Sequence, residues 1–351
     1  MADRTVVGVL FPGPAHRDAL DPLYAVADDL GLQVEMVDWA DQPDVALAVA
    51  AGRSRAWVAA HQAPLTDRQR RQLARAEVLL ALDVPLQLPT LAPRLRWVQA
   101  VGAGIGPLAA TLRGTGIPVC TTAGASSVPI AEFVMARLLG VWKQSRAFDR
   151  LQRARRWPAP DAAPASVGVA GRTLGIVGTG SIGREIARRA AAFDLRVVGV
   201  RRRPDLPPPP GFDRVVGADR LMDVLPDCDA LVLAAPGTPR TDRLIGRDQL
   251  SALPTGAVLC NVARGTLVDE AALADALRSG HLAAAVLDVT DREPLSRRSP
   301  LWALPGAHLS PHASALVPGH LRRVTDIFVD NLRRDRAGEP LRNPADLDEG
   351  Y

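Results

Sequence analysis

The stretch Thr173-Leu174-Gly175-Ile176-Val177-Gly178-Thr179-Gly180-Ser181-Ile182-Gly183 decides the fold. An apolar strand pattern enters a turn with glycines at 178, 180 and 183, and the chain leaves it as a helical pattern to about Ala192. A turn so placed offers the helix's first free amides, and the positive end of its dipole, to an anion. Each glycine has its own reason: Gly178 for the tight turn, Gly180 for close approach of backbone to phosphate, Gly183 for contact between helix and strand. Ser181 and Ile182 would meet the ligand through their main chain. Glycines at this spacing arise by chance in many chains; the strand-turn-helix setting is what predicts a bound dinucleotide.

The next strand bears on which dinucleotide. In this motif an acid about 20 positions on ends the second strand and takes the ribose hydroxyls. Here the strand Arg196–Val200 ends in Arg201-Arg202-Arg203. A carboxylate would repel a 2′-phosphate, whereas a guanidinium binds one through charge-assisted, often bidentate hydrogen bonds. Arg201 and Arg202 therefore favour NADP, with NAD possible. The alternative has these arginines face solvent and Asp205 supply the acid, but Asp205 lies beyond Pro204 and outside the strand.

Outward from this unit, strand-like and helix-period stretches alternate throughout, which predicts parallel sheets covered by helices. A connector rich in Pro, Ala and Ser, Pro158–Ala170, separates a long helical pattern, Pro129 to about Arg153, from the strand at Thr173. After the glycine turn come a proline-rich loop (204 to 210) and strands at Ala230–Ala234, Ala257–Val262 and Ala284–Val289, then one near His308–Ser310 and a final helix, about Pro318 to Arg336. The first 120 residues alternate similarly but are glycine-poor, beginning with a strand Thr5–Leu10, a helix Ala15–Leu30 and a strand Leu32–Val37. At 351 residues and 47% hydrophobic composition, the chain can build two cores.

Composition also limits function. With 42 basic against 38 acidic residues and 4% aromatics, the net charge of +4 is too small an excess to point to nucleic acid. No run approaches the roughly 18 uncharged apolar residues of a membrane span, and Met1–Leu10 lacks the pattern of a secretory leader. Cys120, Cys228 and Cys260 lie singly in apolar runs, without metal-ligand spacing, and read as buried thiols. A cytoplasmic protein is expected, with no membrane and no nucleic-acid partner.

Three later segments each bring a chemically capable residue to the end of a strand: Asn261-Val262-Ala263-Arg264-Gly265, Leu287-Asp288-Val289-Thr290-Asp291-Arg292-Glu293-Pro294-Leu295, and Ser310-Pro311-His312. With Trp97-Val98-Gln99-Ala100-Val101-Gly102-Ala103-Gly104-Ile105, Ala131-Glu132-Phe133-Val134, the glycine turn and Ser299-Pro300-Leu301-Trp302, they make the chain resemble the D-isomer-specific 2-hydroxyacid dehydrogenase family, in particular its glyoxylate/hydroxypyruvate reductases. The resemblance runs over almost the whole length.

The resemblance implies catalytic roles for Arg264, Glu293 and His312. Arg264 would bind the substrate carboxylate and polarise its keto oxygen, since a permanently charged planar fork suits both. His312 would be the acid in reduction and the base in oxidation. Glu293 would accept from the other imidazole nitrogen, fix the ring and favour imidazolium. Val101, Gly102, Ala103 and Gly104 would offer backbone amides to the carboxylate, and Trp302 would border the substrate, although a core or lid tryptophan fits equally well. Ala235 and Pro236 would flank the adenosine; Val262 and Ala263 would lie along the nicotinamide ribose, beside Arg264 and His312. Asp288 would support the nicotinamide side, or else be satisfied by a nearby backbone amide. No metal is implied. Many members have a bulky aromatic after Asp-Val and an acid after the loop glycine, where this chain has Thr290 and Gly106, which leaves the pocket size open.

The fold implied is α/β with two Rossmann-like domains: a dinucleotide-binding domain, residues 121–315, inserted into a flavodoxin-like substrate domain of residues 1–120 and 316–351. The helices Pro129 to about Arg153 and Pro318 to Arg336 would form the hinge. A homodimer is implied, with Ile130–Val141 in the interface or else in the internal core, and Trp157 reaching the partner as in some members. The expected activity is hydride transfer between NAD(P)H and C2 of a small 2-keto acid such as glyoxylate or hydroxypyruvate. The alternative is a nicotinamide-sensing regulatory module on the same fold, because fold alone does not decide function.

Overall fold

The computed structural model describes residues 4–10, 18–37 and 64–351. The chain divides into two compact units, one of Met1–Ala125 with Val317–Tyr351 and one of Ser126–Leu316. Each is a parallel sheet covered by helices.

In the first unit, β1 (Thr5–Leu10), β2 (Leu32–Met36), β3 (Val78–Ala81), β4 (Trp97–Ala100) and β5 (Val119–Cys120) pair in the order β2-β1-β3-β4-β5, the flavodoxin-like arrangement. Alternate strand residues feed two cores. Val7, Val9 and Leu80 pack with Val324, Phe328 and Val329 of the last helix, His320–Ala337, and Leu79, Ala81 and Val98 with Ile105, Leu108 and Leu112. The Trp97 ring meets Phe328 edge-on at 5.7 Å. Buried Asn331 donates to Gln99 Oε1 (2.8 Å) and accepts from the Arg342 amide (2.7 Å), tying the C-terminal segment to β4. The helix expected over Ala15–Leu30 starts outside the described residues; within them it is the short Asp21–Val26, after which Gly31, at φ 59°, turns the chain into β2. His16 and His61 also lie outside the described residues.

The second unit strings seven strands, β6 (Thr173–Val177), β7 (Arg196–Arg201), β8 (Arg214–Gly217), β9 (Ala230–Leu233), β10 (Ala257–Asn261), β11 (Leu282–Leu287) and β12 (Ala307–Leu309), in the order β12-β11-β10-β9-β6-β7-β8. From β6 the chain winds one way to β8 and then the other way from β9, so the strand order reverses between β6 and β9. In such sheets ligands bind at the carboxyl ends beside that point. β6, β9 and β10 are buried along their whole length, which suits a sheet covered on both faces.

Two sequence expectations change here, and a third is met by one of its alternatives. The strand β8 was not anticipated, because its four residues, straight after the proline-rich loop, carry too short a pattern. The single helix Pro129 to Arg153 is two helices, Ser127–Trp142 and Ser145–Arg153, broken where Gln144 takes φ 56° in the left-handed region. The stripe Ile130–Val141, expected at a subunit interface or in the core, places Ile130, Ala131, Val134, Met135 and Leu138 in the unit's own core with Ile176, Ile186 and Val258. The thiols of Cys120, Cys228 and Cys260 are free and buried, and burial pushes Cys120 to about 11 and Cys228 to about 12. Among the described residues, no helix is long and apolar enough to cross a membrane.

Candidate active site

The glycine turn leaves β6 and opens the helix Ser181–Ala191. Gly178 has φ 104°, and a Cβ there would lie 2.6 Å from the Ala234 carbonyl at the end of β9. A Cβ on Gly183 would fall 2.0 Å from Gly178 O, so the helix packs this closely on the turn because residue 183 has no side chain. Gly180 differs: nothing of the chain stands within 4 Å of its Cβ position. No side chain caps the helix at Gly180, which leaves the amides at its start without a side-chain acceptor. Backbone and space together fit a pyrophosphate.

Arg201 is the last residue of β7. Its Nη2 donates to the carbonyls of Leu206 and Pro207 on the proline-rich loop, while Nε is buried without a partner. An orphaned guanidinium donor at the end of the second strand fits a phosphate on the adenosine ribose. Arg202 is exposed beside it; Ala235 and Pro236 follow β9, partly buried and exposed respectively.

At the end of β10, Asn261 builds the turn that aims Arg264. Its Oδ1 accepts from the Ala263 amide (3.0 Å) and its Nδ2 donates to Arg264 O (2.8 Å). Val262 and Ala263 are buried beneath this turn. Gly265 lets the next turn press on the following segment, since a Cβ there would meet the Thr290 carbonyl carbon at 1.9 Å. Gly237, after β9, leaves room for the arginine stem: its Cβ would be 2.8 Å from Arg264 Cγ. The Arg264 side chain keeps an exposed face, with Nη1 on Ala263 O at 2.6 Å. Desolvation of its inner side lowers its pKa, and the nearby Glu293 charge opposes this.

Glu293 Oε2 lies 2.9 Å from His312 Nδ1, and Glu293 Oε1 accepts from the Thr290 amide at 3.2 Å. Both carboxylate oxygens are thus engaged. Burial pushes the Glu293 carboxyl up, but the His312 hydrogen bond and charge, the Thr290 amide and Arg264 together hold it below the usual glutamate range. The Asp291 amide donates to Glu270 at 2.7 Å, anchoring the same turn.

His312 has φ 52°, a left-handed conformation unusual for a residue with a side chain. Asp288 imposes it. This aspartate, 2% exposed, accepts from Ser310 Oγ (2.6 Å) and the amides of Ala313 (2.9 Å) and Ser314 (3.0 Å), while its own carbonyl accepts from the His312 amide at 2.8 Å. Asp288 therefore grips the loop that carries the histidine, satisfied by nearby backbone amides, one of the two alternatives expected for it. The polar residues missed in the sequence, Asn261 and Ser310, and the missed Gly237 all act through neighbours that only folding supplies.

Val101, Gly102, Ala103 and Gly104 follow β4 in the other unit. Val101 donates its amide to Ala81 O (3.0 Å), and Thr122 pins the turn by its hydroxyl to Val101 O (2.7 Å) and its amide to Gly102 O (3.3 Å). Ala103 and Gly104 are exposed. In the second unit Trp302 is exposed, with Nε1 donating to Ser296 O at 3.0 Å.

A parallel sheet with a phosphate-fitting turn at its reversal point, and with Arg, Glu and His on adjacent strand ends, defines a dinucleotide-dependent class. The family "D-isomer specific 2-hydroxyacid dehydrogenase, NAD binding domain" matches residues 135–314. A D-3-phosphoglycerate dehydrogenase of Mycobacterium leprae is 33% identical over 92% of this chain and 56% of its own length. This chain thus spans little more than half of that relative. A glyoxylate reductase of Korarchaeum cryptofilum is 34% identical over 74% of this chain and 79% of its own. The crystal structure of an NADPH-dependent glyoxylate/hydroxypyruvate reductase from Sinorhizobium meliloti, in complex with NADP and sulfate, superimposes with a TM-score of 0.79 at 25% identity, covering 99% of this chain and 100% of that one. The chain belongs to the D-isomer-specific 2-hydroxyacid dehydrogenase family, and its cofactor is NAD(P).

Proposed function

We propose that this protein reduces small 2-keto acids, such as glyoxylate or hydroxypyruvate, with NADPH preferred over NADH. The carrying observation is the His312 Nδ1 to Glu293 Oε2 contact of 2.9 Å, with Arg264 near enough for its charge to act on Glu293. With its pyrophosphate held at the glycine turn, NAD(P)H would supply the hydride for C2. His312, held through Nδ1, presents Nε2 to give a proton to the keto oxygen. Arg264 binds the substrate carboxylate and steadies the charge that develops on that oxygen. The Val101 amide, spent on Ala81 O, is not free for the carboxylate, and Trp302 borders the substrate. In the reverse direction His312 takes the proton back.

Arg201 and Arg202 support the NADPH preference, as does the NADPH dependence of the Sinorhizobium reductase. A homodimer fits the exposure of Val128, Phe148 and Trp157 on the second unit. A cytoplasmic setting fits three unpaired, buried thiols. The sensor alternative predicts cofactor binding without turnover. A panel of 2-keto acids assayed with NADPH and NADH in parallel separates the two: oxidation of NADPH by glyoxylate or hydroxypyruvate is expected, and no oxidation of either cofactor with any member sinks the reductase reading.

A further inference from the structure

Within the second unit, the peptide that joins Thr290 to Asp291 is held by two neighbours. Gly265, on the Arg264 turn, lies so close that a Cβ there would stand 1.9 Å from the Thr290 carbonyl carbon and 2.2 Å from Asp291 N. The Asp291 amide donates to Glu270 Oε1 at 2.7 Å. Thr290 gives its own amide to Glu293 Oε1 (3.2 Å), and Glu293 Oε2 meets His312 Nδ1 (2.9 Å). Hydrogen bonds and one peptide of backbone therefore connect Glu270 to the His312 ring.

Glu270 is the first residue of the helix Glu270–Arg278, but it does not cap it: Asp269 Oδ1 accepts the Ala271 and Ala272 amides, each at 3.0 Å. The Asp291 amide gives Glu270 its hydrogen bond. Burial, with the Asp291 charge, pushes the half-buried Glu270 carboxyl up, and only that amide opposes them. A carboxylate half-buried beside a second acid costs stability rather than adding to it. An ionised carboxylate accepts hydrogen bonds and donates none, so it admits this peptide only with the N–H turned towards it.

Resting on the reductase reading, we propose that Glu270 is a positioning residue: by fixing the Thr290–Asp291 peptide it sets the Thr290 amide on Glu293, and through Glu293 it orients His312 for proton transfer. It acts through Glu293 rather than on the substrate. Because Glu293 accepts at Nδ1, the neutral ring carries its proton there and leaves Nε2 for the keto oxygen. With the peptide freed, Glu293 loses the Thr290 amide and turns, and the ring proton is no longer held at Nδ1.

The test compares the wild type, Glu270→Ala and Glu270→Gln by kcat and KM with NADPH and the better of glyoxylate and hydroxypyruvate. Thermal unfolding is followed beside them, as are the nitrogen NMR signals of the His312 ring at a pH where it is neutral, assigned by their loss in His312→Gln. Glu270→Ala is expected to lower kcat by about tenfold or more, with KM changed by less than about threefold, and to move the ring proton from Nδ1 to Nε2. Glu270→Gln keeps an acceptor for the Asp291 amide and should keep both kcat and the Nδ1 proton. Should Glu270→Ala fail to fold, Glu270→Asp, which shortens the reach, takes its place with the same expected losses. A lower melting temperature with kcat and ring signals unchanged overturns the proposal. So does a fall in kcat without the proton shift, a loss as large in Glu270→Gln as in Glu270→Ala, or a wild-type ring protonated at Nε2. If the wild type reduces neither acid with either cofactor, the reductase reading fails; the ring signals then decide alone, and a proton that stays at Nδ1 without Glu270 overturns its positioning role.

Discussion

Gly237 makes way for Arg264: a Cβ at Gly237 would stand 2.8 Å from Arg264 Cγ and 3.1 Å from its Cβ. These atoms are the root of the arginine side chain, so they cannot swing clear as a flexible tip would. Gly237→Ala should fold, because no positive φ is required at 237, yet it should displace the guanidinium. A fall in kcat/KM of about tenfold or more is expected from misplacing the proposed substrate-binding group, with little change in thermal unfolding. Steady-state kinetics beside a melting curve check it; unchanged kinetics would show that Arg264 adapts.

Asp288 is where stability and the candidate catalytic geometry meet. Asp288→Asn sets an amide against the Ala313 and Ser314 amides and leaves buried donors without an acceptor. Such a loss costs about 1–3 kcal/mol, and the strained φ of His312 should relax with it. Chemical denaturation is expected to show the destabilisation, and turnover to fall more than KM rises. A variant as stable and active as the wild type would mean that the 310–314 loop holds itself.

Loss of the proposed proton donor should act on turnover alone. For His312→Gln, kcat is expected to fall by roughly a hundredfold to ten-thousandfold, while NADPH binding, followed by its fluorescence, is retained. Near-normal turnover would remove His312 from the proton-transfer step.

Cofactor preference should follow the residue that ends β7. Replacing Arg201 by Asp exchanges the proposed phosphate-binding guanidinium for a charge that repels phosphate. The ratio of kcat/KM with NADPH to that with NADH should fall by about tenfold or more. An unchanged ratio assigns the 2′-phosphate to other groups.

His308, on β12, is held neutral: burial, then Arg146 and Arg137, lower its pKa from 6.5 to about 4. The unfolded chain binds a proton near 6.5 whereas the folded one waits until about 4. The unfolded state thus carries more protons in that window, and stability should decline as pH falls through it. Melting temperatures of His308→Gln and wild type, compared from pH 7 to pH 4, should show a shallower acid decline in the variant. Parallel curves would indicate that His308 protonates normally.

The sequence by itself determined the local grammar. The apolar run Thr173–Val177 followed by Gly178, Gly180 and Gly183 specifies strand, turn and helix because period, backbone freedom and free helix amides are properties of neighbouring residues. The parallel α/β character and the positions of Arg264, Glu293 and His312 just after strands were legible for the same reason. Short or irregular pieces were not: β8 has only four residues, and the break at Gln144 interrupts a pattern that reads as one helix. What the tertiary structure alone decided are relations between residues far apart in the chain. Gly237 clears space for Arg264, Asp288 grips the loop of His312, and Asn331 of the last helix bonds Gln99 of β4. Each depends on which strand lies next to which, and strand order is set by the packing of whole faces rather than by any one stretch of sequence.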